Sequence, residues 1–495
     1  MQPWRQSEKL NGQIELSTVL TSDQTGPNHS LVLIVVMLGV MVAAVDTTIV
    51  ILGLPVMLVD LHSDIVSMVW VIMAYLLTLT ILGTQVGRMG DMYGRVRMYN
   101  LGFGIFTLGS VLCGLAQSGP ELIGLRVVQG IGGALIAANS GAIIADNVPA
   151  SRRGRAYGLT SIGFNVGAIL GIILGGVLIT FVNWRFIFLI NLPIGLIALV
   201  LAYVVLHERS PRQREAIDVL GMLLLGAGLL LILLSLTNIA GQGWSTLNGV
   251  LLVIGVLLIG LFLIWENHTS SPLLALSLFH QRVLTASIFA AFFQALGNFA
   301  VLFLVIMYLQ GVRGLSPFDA SLLLTPGYII GGVIGPWSGR VADQIGARIP
   351  ASIGLGFQIV GILIYSTLGL TTTYWVVVVA TICNGCGSGF FFPANSSAVM
   401  ANAPPTAYGV ASGLLRTFAN VGMVGSFAVA LLAAAAAISR AEAFAIFLGT
   451  GTLTPALAAA FDRGLHLALI VGVFPVAIAL VLSMLRGAEL RGQVD

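Results

Sequence analysis

The chain has 495 residues, of which 57% are hydrophobic and 8% charged, with a formal net charge of +3. Soluble domains carry about 25% charged residues, so this composition excludes a water-soluble globular enzyme and names lipid as the solvent. The small positive balance excludes a nucleic-acid binder, and three cysteines supply no disulfide framework.

The first thirty residues are polar, with Glu8, Glu15 and Asp23 where a secretory signal would have its apolar run, so 1–30 reads as a tail. Apolar runs of about 20 residues, enough to cross a roughly 30 Å hydrocarbon core, then recur. They fall near 31–53, 65–87, 98–117, 120–145, 155–181, 185–206, 217–239, 247–265, 285–309, 320–338, 349–369, 372–400, 407–434 and 464–486. The fold class is therefore an all-α integral membrane protein with fourteen spans, followed by a second tail at 487–495.

Basic residues orient these spans. Arg88, Arg95, Arg97, Arg152, Arg153, Arg155, Arg209, Arg212, Arg214, Arg282, Arg340, Arg348 and Arg486 share one side; the other holds Arg185, Arg313, Arg440 and Arg463. The positive-inside rule makes both termini cytoplasmic, in a cell (plasma or inner) membrane.

Asp46 interrupts the run LVLIVVMLGVMVAAVDTTIVILGLP (31–55). An ionised Asp at the centre of a bilayer helix costs roughly 2.5–3.5 kcal/mol, so it reads as a proton, ion or counter-ion site. It lies near the outer end of its span, and Arg126 sits correspondingly near the outer start of the fourth. At 1.5 Å per residue both are roughly 10 Å below the boundary, which permits a direct or water-bridged pair.

Two loops repeat. GRMGDMYGRVR (87–97) and GRVADQIGAR (339–348) share Gly87 and Gly339, then Asp91 and Asp343, then Gly94 and Gly346, with arginine following. The glycines would let helix ends approach, and the aspartates would cap a helix or pair with Arg across an interface. Matching loops imply two pseudo-symmetric six-helix halves, 31–206 and 285–486, with two helices at 217–265 inserted between them and facing lipid.

With LRVVQGIGGA (125–134), VDTTIVILGLP (45–55) and WRFIFLINLPIG (184–195), these loops resemble the major facilitator superfamily, specifically its fourteen-span drug:proton antiporter branch. The resemblance covers essentially all the chain after the first tail. It implies a 6+2+6 fold, alternating access, and a proton-coupling role for Arg126, with Asp46 as the group that titrates. Gly87, Asp91, Gly94, Arg95, Arg97, Gly339, Asp343 and Gly346 would form a conformational latch. The chain departs from the pattern at Ile172, where the antiporter signature has a helix-bending proline, at Ile51 in place of asparagine, and at Met92 in place of a basic residue.

Arg416 is a second deep charge, about nine residues into the thirteenth span and too deep to snorkel. Two deep arginines against one aspartate predict a neutral-to-positive cavity and a neutral, zwitterionic or anionic substrate. Phe164, Asn165, Phe293, Gln294, Asn298, Phe299, Tyr328, Asn384 and Asn420 are further candidates for its walls; each could equally pack against a neighbouring helix. The glycines of NGCGSGFFFP (384–393) read as close helix packing followed by a kink at Pro393, since the only lysine is Lys9 and no nucleotide loop can be built. Cys383 and Cys386 lack other soft ligands and read as packing residues. The apolar segment 438–463 reads as a surface segment over the outer face, with a break at Thr454–Pro455.

Together these point to a proton-coupled exporter of small amphipathic compounds, working as a monomer with protons, a small-molecule substrate and the bilayer as partners. No cofactor, metal, nucleotide or catalytic constellation is read. An uptake symporter or uniporter for a neutral or anionic solute is the alternative, and a membrane-embedded lipid-handling enzyme or scaffold a distant one.

Overall fold

The computed structural model describes residues 29–148, 153–208, 216–269, 272–274, 276–403, 408–439, 441–442 and 454–487. Every apolar run becomes a helix, and the described residues contain no strand. In chain order the spans are α1 His29–Asp60, α2 Ile65–Tyr93, α3 Arg95–Leu115, α4 Gly119–Asn147 and α5 Arg153–Phe181. Then come α6 Phe186–Val205 with a turn at Ile190, α7 Val219–Gln242, α8 Thr246–Glu266, and α9 Arg282–Val312, whose last turns are π-helical. The remainder are α10 Pro317–Ile345, α11 Arg348–Tyr365, α12 Tyr374–Asn402, α13 Tyr408–Ala436 and α14 Pro455–Leu485.

Local chemistry sets the helix ends, and it repeats. Asp64 caps α2 by accepting from the Ser67 amide at 2.8 Å, and Ser316 caps α10 by accepting from the Asp319 amide at 3.1 Å. Both helices end on a glycine at positive φ, Gly94 at 110° and Gly346 at 92°, a conformation that side-chain-bearing residues rarely adopt. Thr454 caps α14 with Pro455 in its first turn, so this helix starts well before the expected 464. Of the predicted surface segment 438–463, residues 440 and 443–453 lie outside the described residues. The helix α12 runs through Pro393.

The helix packing is duplicated. The pairs α1–α5, α2–α4, α3–α4, α3–α6 and α1–α4 of the first half recur as α9–α13, α10–α12, α11–α12, α11–α14 and α9–α12 of the second. The register is preserved as well. A methyl group built on Gly102 would press on the Gly132 carbonyl, and one on Gly354 would press on the Gly387 carbonyl. Gly130 packs on the Tyr75 carbonyl as Gly385 packs on that of Gly327. Helices in lipid gain no hydrophobic drive from meeting each other, so backbone contact through small residues is what holds each half together. Gly87 and Gly339 are not among these close approaches. A Cβ at either would have its nearest neighbour 4.0 or 3.8 Å away, so their contribution is not close packing.

The halves meet through α5–α10 and α2–α13, pairs that the pseudo-symmetry exchanges. Hydrogen bonds joining them include Gln310 Nε2 to the Leu52 carbonyl at 3.0 Å and the Phe318 amide to Thr180 Oγ1 at 3.0 Å. Both lie at the end opposite the arginine-rich loops. The inserted α7 packs on α2 and α13, with Trp70 Nε1 donating to Thr237 Oγ1 at 3.2 Å. Thus α8 is the lipid-facing member of the pair, with Val253, Val256, Leu257 and Leu261 exposed, while α7 is wedged against both halves.

Candidate functional site

Asp46 of α1 and Arg126 of α4 meet directly: Nη1 of the arginine lies 2.7 Å from Oδ2 of the carboxylate. The side chains are 0% and 1% exposed, so the pair is sealed from solvent. The matching depth read from the sequence has become a contact.

The pair does not stand alone. Arg126 Nη1 also donates to Gln129 Oε1 at 2.6 Å, and its Nε donates to the Val71 carbonyl at 3.1 Å. The guanidinium carbon lies 4.3 Å from the centre of the Tyr75 ring and 5.9 Å from that of Phe188. Gln129 turns its Nε2 to Asp46 Oδ1 at 2.7 Å and to Ser110 Oγ at 3.0 Å. Asn191 Nδ2 donates to the same Ser110 Oγ at 2.8 Å. Five helices, α1, α2, α3, α4 and α6, therefore close around one ion pair. Both carboxylate oxygens are hydrogen-bonded and the arginine is held on three sides, which is what a buried charge pair needs to persist.

Gln129, Ser110, Tyr75 and Asn191 are missing from the residues singled out by sequence. Gln129 was within reach: three residues past Arg126 is the next turn of the same helix face, inside the same motif. The other three sit on different helices, and no spacing rule brings them there.

Gln129 links the charges to α3, so its loss has a definite cost. In Gln129→Leu, Asp46 Oδ1 and Ser110 Oγ lose a donor, and an unsatisfied buried polar group costs about 1–3 kcal/mol, more when charged. The expected result is a clearly lowered thermal transition in detergent micelles.

In the second half the same helices carry a neutral arrangement. Asn384 Nδ2 of α12 donates to Asn298 Oδ1 of α9 at 2.7 Å. Asn384 packs on Gly361 as Gln129 packs on Gly109, so it holds the repeat-equivalent place of Gln129. Here the partner on the first helix of the half is an amide rather than a carboxylate. Both asparagines are half-buried.

The other candidates divide. Phe164 and Arg416 are exposed although they lie deep in their helices, and Asn165, Phe293, Phe299, Tyr328 and Asn420 are half-buried. Asn165 faces Gly332 and Gly335 of α10, at the seam between the halves. Arg416 reaches across that seam from α13, its Nη1 donating to the Ala137 carbonyl of α4 at 3.2 Å. Phe293 packs edge-on against Phe292, and Phe299 against Phe427. Gln294 lies deeper than these. It is buried, donating to Gln358 Oε1 at 3.1 Å, and Gln358 donates on to Ser388 Oγ at 3.2 Å. Its amide ties α9 to α11 and α12.

At the arginine-rich end, Arg95 Nε donates to Asp91 Oδ1 at 2.7 Å and its Nη1 lies 2.5 Å from Asp146 Oδ1. The Arg97 amide donates to Glu208 Oε1 at 2.9 Å. Asp343 Oδ1 accepts from Ser397 Oγ at 3.0 Å. Each of these contacts stays within its own half, whereas the sequence reading allowed the aspartates to pair across an interface.

Known proteins match this chain in sequence and in fold. The model of the Major Facilitator Superfamily aligns with residues 36–427. The chain belongs to that superfamily. It is 30% identical to the tetracenomycin C resistance and export protein of Streptomyces glaucescens, over 81% of this chain and 74% of that one. It is also 30% identical to the methylenomycin A resistance protein of Bacillus subtilis, over 85% and 89%. The riboflavin transporter RibZ of Clostridioides difficile is 30% identical over 79% and 85%. Among solved structures, a bacterial homologue of the human lysosomal transporter Spinster superposes with a TM-score of 0.64 at 20% identity, covering 92% of this chain and 96% of that one. The xylose transporter XylE from E. coli does so with 0.59 at 15%, covering 94% and 98%. The resemblance to drug transporters is thus met by relatives named for drug resistance, and the protein is a multi-pass membrane transporter of this superfamily.

Proposed function

We propose that this transporter is a proton-coupled exporter of small amphipathic compounds, in which Asp46 takes and releases the proton. The observation that carries the reading is the sealed cluster of Asp46, Arg126 and Gln129. A carboxylate that accepts from both an arginine and an amide is satisfied only while ionised. Once protonated it becomes a donor facing two donors, so the contacts between α1 and α4 must rearrange. Arginine does not release its proton and serves to hold the charged form. Proton uptake thereby biases the packing of one half, and rocking of the halves about the α5–α10 and α2–α13 contacts would turn that bias into alternating access.

The asparagines on the matching helices of the second half cannot titrate. We assign them, with Phe164, Asn165, Phe293, Phe299, Tyr328, Arg416 and Asn420, to the substrate side. The Asp91–Arg95–Asp146 and Asp343–Ser397 contacts would serve as latches at the cytoplasmic end, exchanging partners as the halves move. Proteoliposomes with an imposed pH gradient test the coupling: drug flux that follows the gradient supports it, and flux indifferent to the gradient refutes it.

The charge reachable from the seam is Arg416, whereas Asp46 is buried under its own partners. An anionic or neutral amphiphile is therefore the expected cargo. Arg416→Gln should weaken anion transport by roughly 10- to 150-fold, the loss of a partly desolvated charge-assisted contact of about 1.5–3 kcal/mol, and leave a neutral substrate nearly untouched. Selective transport of a quaternary dication by the wild type would refute this assignment.

Uptake is a second reading with its own support. Ile172, fully buried, stands where the antiporter signature has its bending proline, and one relative is named a riboflavin transporter. The direction of the proton gradient that accumulates substrate in oriented vesicles separates the two.

A further inference from the structure

Two adjoining hollows of about 410 and 300 Å³ open on the lipid-facing side at the arginine-rich end, where the α7–α8 pair joins the second half. They share Phe279, Thr285 and Phe289 and so form one trough. Its inner part is walled by Leu263 of α8, Phe279 of the short helix Leu276–His280, Phe289 of α9 and Phe418 of α13. The three phenylalanines form one cluster, with ring centres 5.4 to 6.0 Å apart. At the mouth stand His280 and Arg282, both exposed. The Nε of Arg282 donates to the Leu485 carbonyl at 3.1 Å, which fixes the guanidinium at the rim. Among the described residues, no acidic side chain lines either part.

The dimensions match one leaflet. Arg282 is the first residue of α9 and Phe289 lies two turns deeper, about 10 Å at 1.5 Å per residue. Cations at the helix start stand at headgroup level, and the aromatic floor stands among acyl chains. An apolar slot with positive groups only at its mouth complements an amphiphile with a chain and a negative head.

We propose that this trough is a binding site for an anionic phospholipid of the leaflet at the arginine-rich end, with one acyl chain on Phe279, Phe289 and Phe418 and the phosphate at Arg282 and His280. The site is distinct from the Asp46 cluster, which lies in the other half. Phe418 is on the same helix as Arg416, which crosses to α4, so an occupied trough bears directly on a helix that joins the halves.

Native mass spectrometry of the purified transporter, titrated with dioleoylphosphatidylglycerol or dioleoylphosphatidylcholine, reads the site without relying on transport. The wild type should retain one phosphatidylglycerol at several-fold lower concentration than phosphatidylcholine. Arg282→Gln should remove about fivefold of that preference, the effect of one cation at a charged surface. Phe289→Ala should weaken both lipids together. Arg348→Gln, which removes an exposed arginine at the same end but outside the trough, should change neither. Equal retention of the two lipids by the wild type would overturn the proposal. So would an equal loss in Arg348→Gln and Arg282→Gln, because the attraction would then belong to the whole basic surface. Each variant's thermal transition is recorded beside its lipid titration, and a preference unchanged in a folded Arg282→Gln protein also overturns the site.

Discussion

Arg126→Ala should lower the stability of the folded transporter by about 3–5 kcal/mol, the cost of leaving one partner of a buried ion pair alone. With the guanidinium gone, Asp46 keeps the amide of Gln129 as its hydrogen-bond partner at 2.7 Å, and the Tyr75 ring and Val71 carbonyl lose the group they enclose. Asp46→Asn also leaves a buried charge without its counter-ion, but should cost less, because the guanidinium keeps its other partners. Arginine then retains Gln129 and the Val71 carbonyl, and asparagine keeps the shape of the carboxylate. The double variant Asp46→Asn/Arg126→Ala should lose less than the two single losses add up to, because it removes both charges together; that difference is the coupling the double-mutant cycle isolates. Thermal transitions of the four proteins in one detergent decide it. If the double variant melts where the sum of the two single shifts places it, the pair contributes nothing as a pair.

Much of this arrangement could be read from the residue order, for reasons that particular residues make plain. Span number follows from composition, because a chain with so few charges has only lipid to face. The duplication follows from the Gly–x3–Asp–x2–Gly loops, and the coordinates extend it to caps, with Asp64 matched by Ser316, and to backbone contacts, with Gly102 matched by Gly354. The Asp46–Arg126 contact was accessible through helix rise alone, since two antiparallel spans share one depth scale. Depth says nothing about azimuth. That is why the residue order does not reveal that Gln294 is buried against Gln358, or that Ser110, Tyr75 and Asn191 gather at the Asp46 cluster. A polar residue at mid-span must find a partner in lipid, but which of five neighbouring helices supplies it depends on rotation about the helix axis. The start of α14 was missed for a different reason. Its first turns contain Asp462 and Arg463, which break the apolar run without breaking the helix that Thr454 and Pro455 begin.

Asp46→Asn should abolish the response of transport to a pH gradient while leaving substrate exchange intact. Exchange needs only that the halves rock with cargo bound, and the neutral side chain still fills its place among Arg126 and Gln129. Net driven flux needs a group that binds a proton on one side and releases it on the other, and asparagine carries none. At the Asp46 and Gln129 positions the second half offers amides, Asn298 and Asn384, so it supplies no substitute. Gradient-driven accumulation in proteoliposomes should therefore fall to the level set by passive equilibration, with counterflow of labelled substrate within about twofold of wild type, as expected when the ground-state contacts are conserved. Asn298→Asp in the Asp46→Asn background sharpens the result. A carboxylate placed against Asn384 lacks an arginine, because Thr381 stands one turn before Asn384 where Arg126 precedes Gln129. It should stay protonated across the working pH range and fail to restore driven flux. Driven accumulation that survives Asp46→Asn unchanged would make the Asp46–Arg126 pair a structural tie between α1 and α4, and would move the search for the proton site elsewhere in the chain.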